Sequence, residues 1–473
     1  MRSSISLALP FALILSLHAS VIGVSKPAQS LTVERINATL PRNQRAAWLD
    51  YLKRSEAQMA ADKAVLAVER KGLATIPSLP RQSFSARSIP LHRAPVFYSS
   101  AEAKHIGDVI LSFQTPAGGW SKNLDMAGEP RQAGQSYATA NLAPIASSPG
   151  DFDQPRDETW HYVGTLDNDA TNTELHFLAE LSAALPGHDG DIYRASFLRG
   201  LNYLLAAQFP NGGWPQVWPL EGGYHDAITF NDDAVTESTG LLTLVVSGQR
   251  VTSQPDEDEI AFTRMIAQRT GRQLPEPQAS TEDYTFVPAA LRARAQKAAN
   301  KALACILATQ VHELGPAGKG EGKHLTIWSQ QNDPLTLAPV AARNFEPAAL
   351  SSTESASVME YLMSLPNPSS AVVRSVDAAA TWFQAHKIMG YNYEGGRNTP
   401  GGRKLVAKPG AGPIWSRFYS LSTGKPIFGD RDKTIHDDVN DLSLERRNGY
   451  GWYGSSPQKA LTEYANWKKS RAS

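Results

Sequence analysis

The sequence predicts an all-α fold, and three observations lead to this prediction. Beyond residue 95, apolar residues recur at helical spacing, helix-starting signals precede the apolar runs, and alternating strand patterns are scarce. Long polar loops separate the helical segments. This arrangement favours a toroid of helical hairpins with its loops gathered at one face.

Two capping-box patterns mark helix starts in this region. Ser99–Glu102 opens a helix that runs through Phe113, and Thr171–Glu174 opens a second helix. The apolar spacing then predicts further helices over Asp191–Ala207, Ala234–Val246, Leu291–Ala308, Glu354–Met363, Ser370–Ala385 and Pro457–Trp467.

A weak internal repeat supports the toroid. Gln114–Trp120 and Gln208–Trp214 both read Gln-x-x-x-Gly-x-Trp, lie 94 residues apart, and each follow a predicted helix. The glycine pair allows a sharp turn, and the tryptophan can fill the gap between neighbouring helices. The same residues are also compatible with ordinary helix ends that carry a packing tryptophan.

Composition excludes several function classes. The 473-residue chain has 46 basic and 46 acidic side chains, so no chain-wide positive field exists to hold nucleic acid or an acidic membrane. A polyanionic ligand would need cations gathered locally. Cys305 is the single cysteine, so no intrachain disulfide can form.

The chain divides into four expected segments. Residues 1–25 resemble a secretory signal peptide, cut between about residues 19 and 28; an uncleaved membrane anchor is the alternative. Residues 26–75 form an accessory N-terminal segment with one long polar helix over 41–71, and residues 76–94 form a linker or extended strap. The main domain spans 95–473. A secreted or periplasmic protein is expected, with residues 26–94 dispensable for its chemistry.

Two acidic loops provide hard oxygen donors. Thr165–Thr171 and Gly222–Asp233 are dense in Asp and Asn and contain one histidine, His225. Such donors select calcium or magnesium rather than zinc. Loop position twelve after Asp167 is Leu178 rather than a glutamate, which excludes an EF-hand. Helix capping by the same residues is the competing interpretation.

Two further loops place arginines among aromatic and acidic residues, at Ala342–Glu346 and between Trp415 and Arg447. A guanidinium binds carboxylates with two parallel hydrogen bonds, although a structural ion pair would look the same in sequence. Together, the acidic and arginine loops describe a site for a carboxylated ligand bridged by a divalent cation.

At these residues the sequence resembles the family 10 polysaccharide lyases, the pectate lyases. The segments TLDNDAT followed by TELHFLAEL, GGYHDAITFNDDAV, ARNFEPAALSSTESASVMEYL and WSRFYSLSTGKPIFGDRD look like motifs of that family. YSSAEAKHIGDVILSFQTPAGGWSKNLDM resembles its domain start, and LSLERRNGYGW a later block. The resemblance extends over about residues 96–466, in order.

The resemblance implies an (α/α)3 toroid with a calcium-dependent groove, so that residues 95–473 form a pectate lyase catalytic domain. It implies that Asp167, Asn168 and Asp232 bind Ca²⁺, and that Arg343 is the Brønsted base. Four residues are the expected substrate-binding groups: Arg417, Arg431, Lys122 and Asn123. This chain departs from the family at Asp169, where a glycine is common.

The implied reaction is anti-β-elimination of a 1,4-linked galacturonan, polygalacturonate or pectin, giving 4,5-unsaturated oligogalacturonides. A monomer that contacts neither nucleic acid nor, after signal cleavage, a membrane is expected. The alternatives are a non-catalytic galacturonan-binding protein and a lyase or hydrolase of another uronic acid polymer. A terpene cyclase, the other helical toroid with such repeats, is disfavoured because its Asp-x-Asp-Asp cluster is missing.

Overall fold

A computed structural model describes residues 20–83, 88–140, 150–157, 159–255, 257–270, 275–314 and 321–472. Most of the predicted signal peptide, residues 1–19, lies outside this range. Among the described residues, no helix is long and apolar enough to cross a bilayer. The helices are α1 (Val33–Thr39), α2 (Arg42–Arg70), α3 (Ala101–Phe113), α4 (Asn172–Ala184), α5 (His188–Ala207), α6 (Ala234–Ser247), α7 (Glu257–Thr270), α8 (Ala289–Thr309), α9 (Ser352–Ser364), α10 (Ser370–Ala385), α11 (Leu444–Gly449) and α12 (Ser456–Ala472).

The strands are short, and all of their pairings are antiparallel. They form one three-stranded sheet, β1–β14–β13, and the pairs β2–β7, β3–β4, β5–β6, β8–β12, β9–β10 and β11–β15. The strands are β1 (Val21–Val24), β2 (Ile228–Thr229), β3 (Arg250–Ser253), β4 (Ser280–Asp283), β5 (His312–Leu314), β6 (Glu321–Leu325), β7 (Gln331–Asn332), β8 (Leu350–Ser351), β9 (Tyr391–Glu394), β10 (Lys404–Ala407), β11 (Trp415–Ser416), β12 (Phe418–Tyr419), β13 (Phe428–Gly429), β14 (Thr434–His436) and β15 (Tyr453–Gly454).

Three inner helices, α4, α6 and α9, form the centre of the molecule. They are buried on nearly every face, whereas α3, α5, α8 and α10 bury mainly one face and lie outside them. Consecutive inner helices contact each other, and each packs against its outer neighbours in the chain. The predicted all-α toroid of the (α/α)3 type is therefore confirmed.

The repeat around the tryptophans is also a repeat of hydrogen bonds, and it occurs at four tryptophans rather than at the two that the sequence pattern shows. Gln114 Nε2 donates to Gly118 O (2.8 Å) and Ser196 O (3.0 Å), and Gln310 Nε2 makes the corresponding pair of bonds to Thr326 O and Ser375 O. Each tryptophan Nε1 reaches back to a carbonyl near the end of an outer helix. These bonds join Trp120 to Ile110, Trp214 to Leu204, Trp328 to Ile306 and Trp415 to Phe383.

The N-terminal segment belongs to the same hydrophobic core as the toroid. Trp48 and Tyr51 of α2 pack against Phe209, and the Tyr51 hydroxyl donates to Ala207 O at 2.8 Å. The described part of the 76–94 segment runs as a strap, in which Ile89 is buried in that core. An accessory element was expected here because the apolar stripe of α2 is sparse, but a few large side chains provide the contact.

Residues 20–25 belong to the predicted signal peptide and are described by the structure. Val21–Val24 form β1, which pairs antiparallel with β14. Ser25 N also donates to Lys433 O at 2.8 Å. The signal peptide and its cleavage site stay predictions.

Candidate active site

Two equivalent loops deliver the predicted metal ligands. Each forms one turn of 3-10 helix immediately before an inner helix, Asp167–Asp169 before α4 and Asn231–Asp233 before α6. Asn168 (φ 51°, ψ 44°) and Asp232 (φ 48°, ψ 40°) occupy matching left-handed positions. Asp and Asn tolerate this conformation better than other side chains, which explains their density here. The loops thus present homologous oxygen donors toward each other.

The two loops meet through hydrogen bonds. The backbone N–H of Asn168 donates to Asp232 Oδ2 at 3.0 Å, and Asn168 Nδ2 donates to Asn123 Oδ1 at 2.9 Å. Asn123 is itself in a left-handed conformation (φ 61°) and is buried. The predicted residues Asn123, Asn168 and Asp232 therefore lie close together, and Asn123 contacts the Asp167–Asp169 turn.

Asp167 lies at the centre of a buried network. Its Oδ2 accepts from Lys122 Nζ at 2.5 Å, and its Oδ1 accepts from Gln216 Nε2 (2.6 Å) and Asn231 Nδ2 (3.1 Å). Burial acts to raise the pKa of Asp167, but Lys122 and then Arg343 hold it below its ordinary value. In this structure Lys122 and Asn123 thus hold the turn Asp167–Asp169, and their contact with substrate stays a prediction.

One position of the repeat supplies four polar side chains to this network. The residue two places after each repeat tryptophan is Lys122, Gln216, Gln330 or Arg417. Lys122 and Gln216 bond to Asp167, whereas Gln330 Nε2 donates to Asn231 Oδ1 at 2.7 Å and Arg417 Nη2 lies 3.4 Å from the same oxygen. We call these four residues the tryptophan-plus-two ring.

A cavity of about 320 Å³ opens beside these loops. The aspartates that line it are partly buried and lie close to other carboxylates, and both effects raise their pKa values. Burial, reinforced by the charge of Asp167, raises the pKa of Asp232 to about 8 and that of Asp169 to about 6. Burial also raises the pKa of Asp233 to about 6. The cavity is lined by Asn168, Asp169, Asp232, Asp233, Thr353, Glu354 and Arg417.

This donor set fits calcium. The side chains are oxygen donors on two neighbouring turns, and burial raises the pKa of Asp169 and Asp232 because their charged forms lack the water that a hard cation could replace. Asp169, which replaces the glycine common in the family, adds a carboxylate to the lining rather than removing the turn, because its φ is 61°. Asp167, Asn168 and Asp232 would hold the ion.

Arg343 is held side-on by Glu346. Arg343 Nε donates to Glu346 Oε2 at 2.8 Å and Nη2 donates to Oε1 at 2.6 Å, while Tyr450 donates its hydroxyl proton to Oε1 at 2.7 Å. Burial acts to lower the pKa of Arg343, but Glu346 outweighs it and raises this pKa well above the ordinary value. This carboxylate leaves Nη1 unengaged, and the Arg343 side chain stays 39% exposed.

The two predicted substrate arginines lie in different environments. Arg417 lines the cavity, forms an ion pair with the buried carboxylate of Glu354, and lies 4.8 Å above the Tyr450 ring. Arg431 lies outside the cavity lining. It is bonded to Glu445 at 3.2 Å and packs over Phe345, whose ring also lies beneath Arg343.

Sequence reasoning missed the side chains that orient the arginines. Glu346 and Glu354 both stood within the quoted motifs, and the spacing Arg343-x-x-Glu346 was a usable signal. Gln330 was missed because the third repeat is interrupted by an insertion between Gln310 and Trp328, whereas Gln216 stands two residues after Trp214 of a recognised repeat and was a usable signal. His225, the one histidine of the acidic loops, is buried, outside the cavity lining, in a separate cluster with His161.

The comparisons with known proteins identify relatives among the pectic acid lyases and the family 10 polysaccharide lyases. The family model described as pectic acid lyase matches residues 114–267 and 258–461. A solved family 10 polysaccharide lyase from Cellvibrio cellulosa is 26% identical, with a TM-score of 0.58, covering 82% of this chain and 99% of that chain. A mutant of the Cellvibrio enzyme in complex with trigalacturonic acid is also 26% identical, with a TM-score of 0.57, covering 78% of this chain and 96% of that one. No curated protein matches.

The toroid fold and the two solved structures that match it place the chain in the class of family 10 polysaccharide lyases. Within that class, the matched residues span most of the chain from Gln114 onwards. The chain belongs to the pectic acid lyase family.

Proposed function

We propose that this protein is a calcium-dependent pectate lyase that cleaves 1,4-linked α-D-galacturonan by anti-β-elimination. The observation that carries the proposal is the meeting of Asp169, Asp232 and Arg417 around one cavity, with Arg343 on the adjoining loop. A cavity with both a cation site and a guanidinium suits a polymer that carries one carboxylate per sugar. The trigalacturonic acid complex of the Cellvibrio enzyme supports the same substrate class.

Chemically, the difficult step is removal of the weakly acidic C5 proton next to the uronate carboxylate. Calcium, which Asp167, Asn168 and Asp232 would hold, would neutralise that carboxylate and stabilise the charge that develops there. Arg417 lies where it can add a second cationic contact, because Glu354 and Tyr450 fix its guanidinium. Arg431, Lys122 and Asn123 are proposed to bind or position the flanking sugars.

Arg343 is the proposed base, and Glu346 has a double effect on it. It fixes the guanidinium so that Nη1 can point toward the sugar, but it also raises the pKa of Arg343. The deprotonated fraction is therefore small, so the rate of elimination should climb steeply with alkaline pH. An ordinary histidine base would instead give a plateau near neutral pH.

The experiment is an assay of the purified protein on polygalacturonate that follows the ultraviolet absorbance of the unsaturated product and the new reducing ends together. Both signals should rise, and both should vanish in excess EGTA and return with calcium. Reducing ends without absorbance would identify a hydrolase, and binding without either signal would identify a galacturonan-binding protein.

A variant pair separates the base from binding residues. Arg343→Lys keeps the charge but cannot place a nitrogen where Nη1 lies, so it should lose nearly all turnover while polygalacturonate binding survives. Arg417→Ala should weaken binding as well. If Arg343→Lys retains about a tenth of wild-type turnover, a cost of only about 1.4 kcal/mol, Arg343 is not the base.

We further propose that the protein is exported and acts as a monomer in the periplasm or outside the cell. The charge-poor segment before Lys26 and the polymeric substrate, which cannot enter a cell intact, support this proposal. N-terminal sequencing of the protein recovered from culture fractions tests it.

A further inference from the structure

A second polar cluster lies away from the cavity. Asp153, His161 and His225 each offer one ligand atom, and these atoms lie within 4.8 Å of one another. His225 Nε2 is 3.6 Å and His161 Nε2 is 4.0 Å from Asp153 Oδ1, so neither separation is a hydrogen bond. Both histidines are about 95% buried, at 5% exposure each.

The two imidazoles have unpartnered nitrogens aimed at the same carboxylate. His161 Nε2 and His225 Nε2 are buried and have no hydrogen-bond partner among the described residues. A buried ring nitrogen without a partner costs free energy, and two at one place require an explanation. A bound cation facing both nitrogens and Asp153 would satisfy them together.

The surrounding contacts match those that orient metal-binding side chains. His161 Nδ1 lies 3.0 Å from Glu221 Oε2, and His225 Nδ1 lies 4.0 Å from the same oxygen. A carboxylate behind the far nitrogen fixes the ring so that Nε2 faces the metal. Asp153 Oδ1 in turn accepts hydrogen bonds from the hydroxyls of Tyr162 and Tyr224.

The size and donor chemistry select the ion. Tetrahedral ligands at about 2.0–2.1 Å from zinc lie about 3.3 Å apart, so the two measured gaps need to close by less than about 1 Å. Two imidazoles and a carboxylate suit zinc or another first-row divalent metal, whereas calcium prefers oxygen donors. Asp153 is 15% exposed at its side chain, so this end of the cluster is in contact with solvent.

We propose that Asp153, His161 and His225 form a binding site for a first-row divalent transition metal, with zinc as the best match, separate from the calcium site. Glu221 positions His161 through its hydrogen bond to Nδ1, and its charge lies near His225. The metal stabilises the fold, because it connects the loop that carries Asp153 to the loops that carry the histidines. Tyr162 links this site to the active site, since Lys122 Nζ lies 3.4 Å from its ring centroid.

The test uses the full purified chain, stripped with a chelator and then held in millimolar calcium to occupy the active site. Zn²⁺ is titrated against a chromophoric chelator, and one Zn²⁺ per chain should bind with a Kd in the micromolar range or tighter. Co²⁺ in its place should give the intense visible bands of a four-coordinate site. Failure to bind stoichiometric Zn²⁺, or a weak octahedral Co²⁺ spectrum, overturns the proposal and leaves the cluster as imidazolium–carboxylate pairs.

Variants locate the ion. His161→Gln and His225→Gln should each weaken Zn²⁺ binding on the order of 100-fold or more, and Glu221→Gln by about 10–100-fold. His176→Gln is the matched control, because His176 pairs with the buried Glu282 at 3.0 Å and belongs to no three-ligand group among the described residues. Equal Zn²⁺ affinity in the His225→Gln and His176→Gln proteins contradicts the assignment. Asp232→Asn should retain Zn²⁺, so this test and the lyase assay can fail independently.

Discussion

Replacing Trp48 by alanine should destabilise the whole catalytic domain, although this residue lies outside the family match. Trp48 is 4% exposed and stacks on Phe209 of the toroid with ring centroids 5.4 Å apart. The same helix anchors Tyr51 to Ala207 O and accepts a hydrogen bond at Ser55 Oγ from Leu220 N at 2.8 Å. Removing the indole leaves a cavity between α2 and the loop after α5.

The expected cost follows from these contacts. Truncating a buried tryptophan to alanine costs about 3–5 kcal/mol, because the transfer free energy and the cavity term add. Domains have a net stability of only about 5–15 kcal/mol, so the loss is a large share of the total. Deletion of residues 26–94 removes Trp48 and Tyr51 together and exposes Phe209. We expect the 95–473 fragment not to fold with native helicity.

The assay is urea unfolding followed by circular dichroism, with Val68→Ala as the control on the same helix. Val68 is 73% exposed, so its truncation should change the free energy of unfolding by less than about 0.5 kcal/mol. If Trp48→Ala unfolds at the same urea concentration as Val68→Ala, or if the 95–473 fragment is native and active, α2 is an accessory element after all.

Four further predictions concern the site. Asp167→Ala should lower turnover by orders of magnitude while helical circular dichroism is kept, and unaltered turnover would exclude it as a calcium ligand. Glu346→Gln should move the alkaline rise of kcat/KM to lower pH, because removing the carboxylate lowers the pKa of Arg343; an unmoved profile argues against Arg343 as base. Burial raises the pKa of Asp232 in the folded protein to about 8, so its protonated form stabilises the calcium-free fold. This contribution to the free energy of unfolding should be complete below about pH 4 and should be lost as the pH rises toward 8. Thermal unfolding with and without calcium checks it. Asp169→Gly should weaken calcium binding measured by calorimetry while leaving the turn intact, and tighter binding would contradict the added-ligand interpretation.

Helix positions were largely predictable, because apolar spacing reports the buried face. The polar helix expected at 41–71 is Arg42–Arg70, and the helix expected at Ser370–Ala385 has those bounds. The capping detail was less predictable. Ser100 rather than Ser99 caps α3, and Thr171 has φ 68° and bonds Thr165 O instead of capping α4. A capping pattern does not encode the left-handed turn that tertiary contacts impose.

The position of the site could be predicted from the sequence, but the pairing of its charged side chains could not. Asp167, Asn168 and Asp232 were identified through loop composition and family resemblance, and the structure brings them together. The partners of Lys122 and Arg417 were hidden, because Lys122 and Asp167 are 45 residues apart and Arg417 and Glu354 are 63 apart. Such pairings depend on how hairpins close into the toroid, and local spacing carries no record of that closure.

The tryptophan-plus-two ring has a consequence for how this site came to be asymmetric. Equivalent backbone positions in successive hairpins carry a lysine, two amides and an arginine, so one scaffold position displays different chemistry at each step. A ring of four identical side chains would present the same face to a polymer running in either direction. Lys122 and Arg417 carry charge whereas Gln216 and Gln330 do not, so the four positions present different chemistry to a polysaccharide, whose two ends are distinct. Because Lys122 and Gln216 also bond Asp167 and Arg417 pairs with Glu354, a substitution in this ring would alter the acidic loops together with any directional preference.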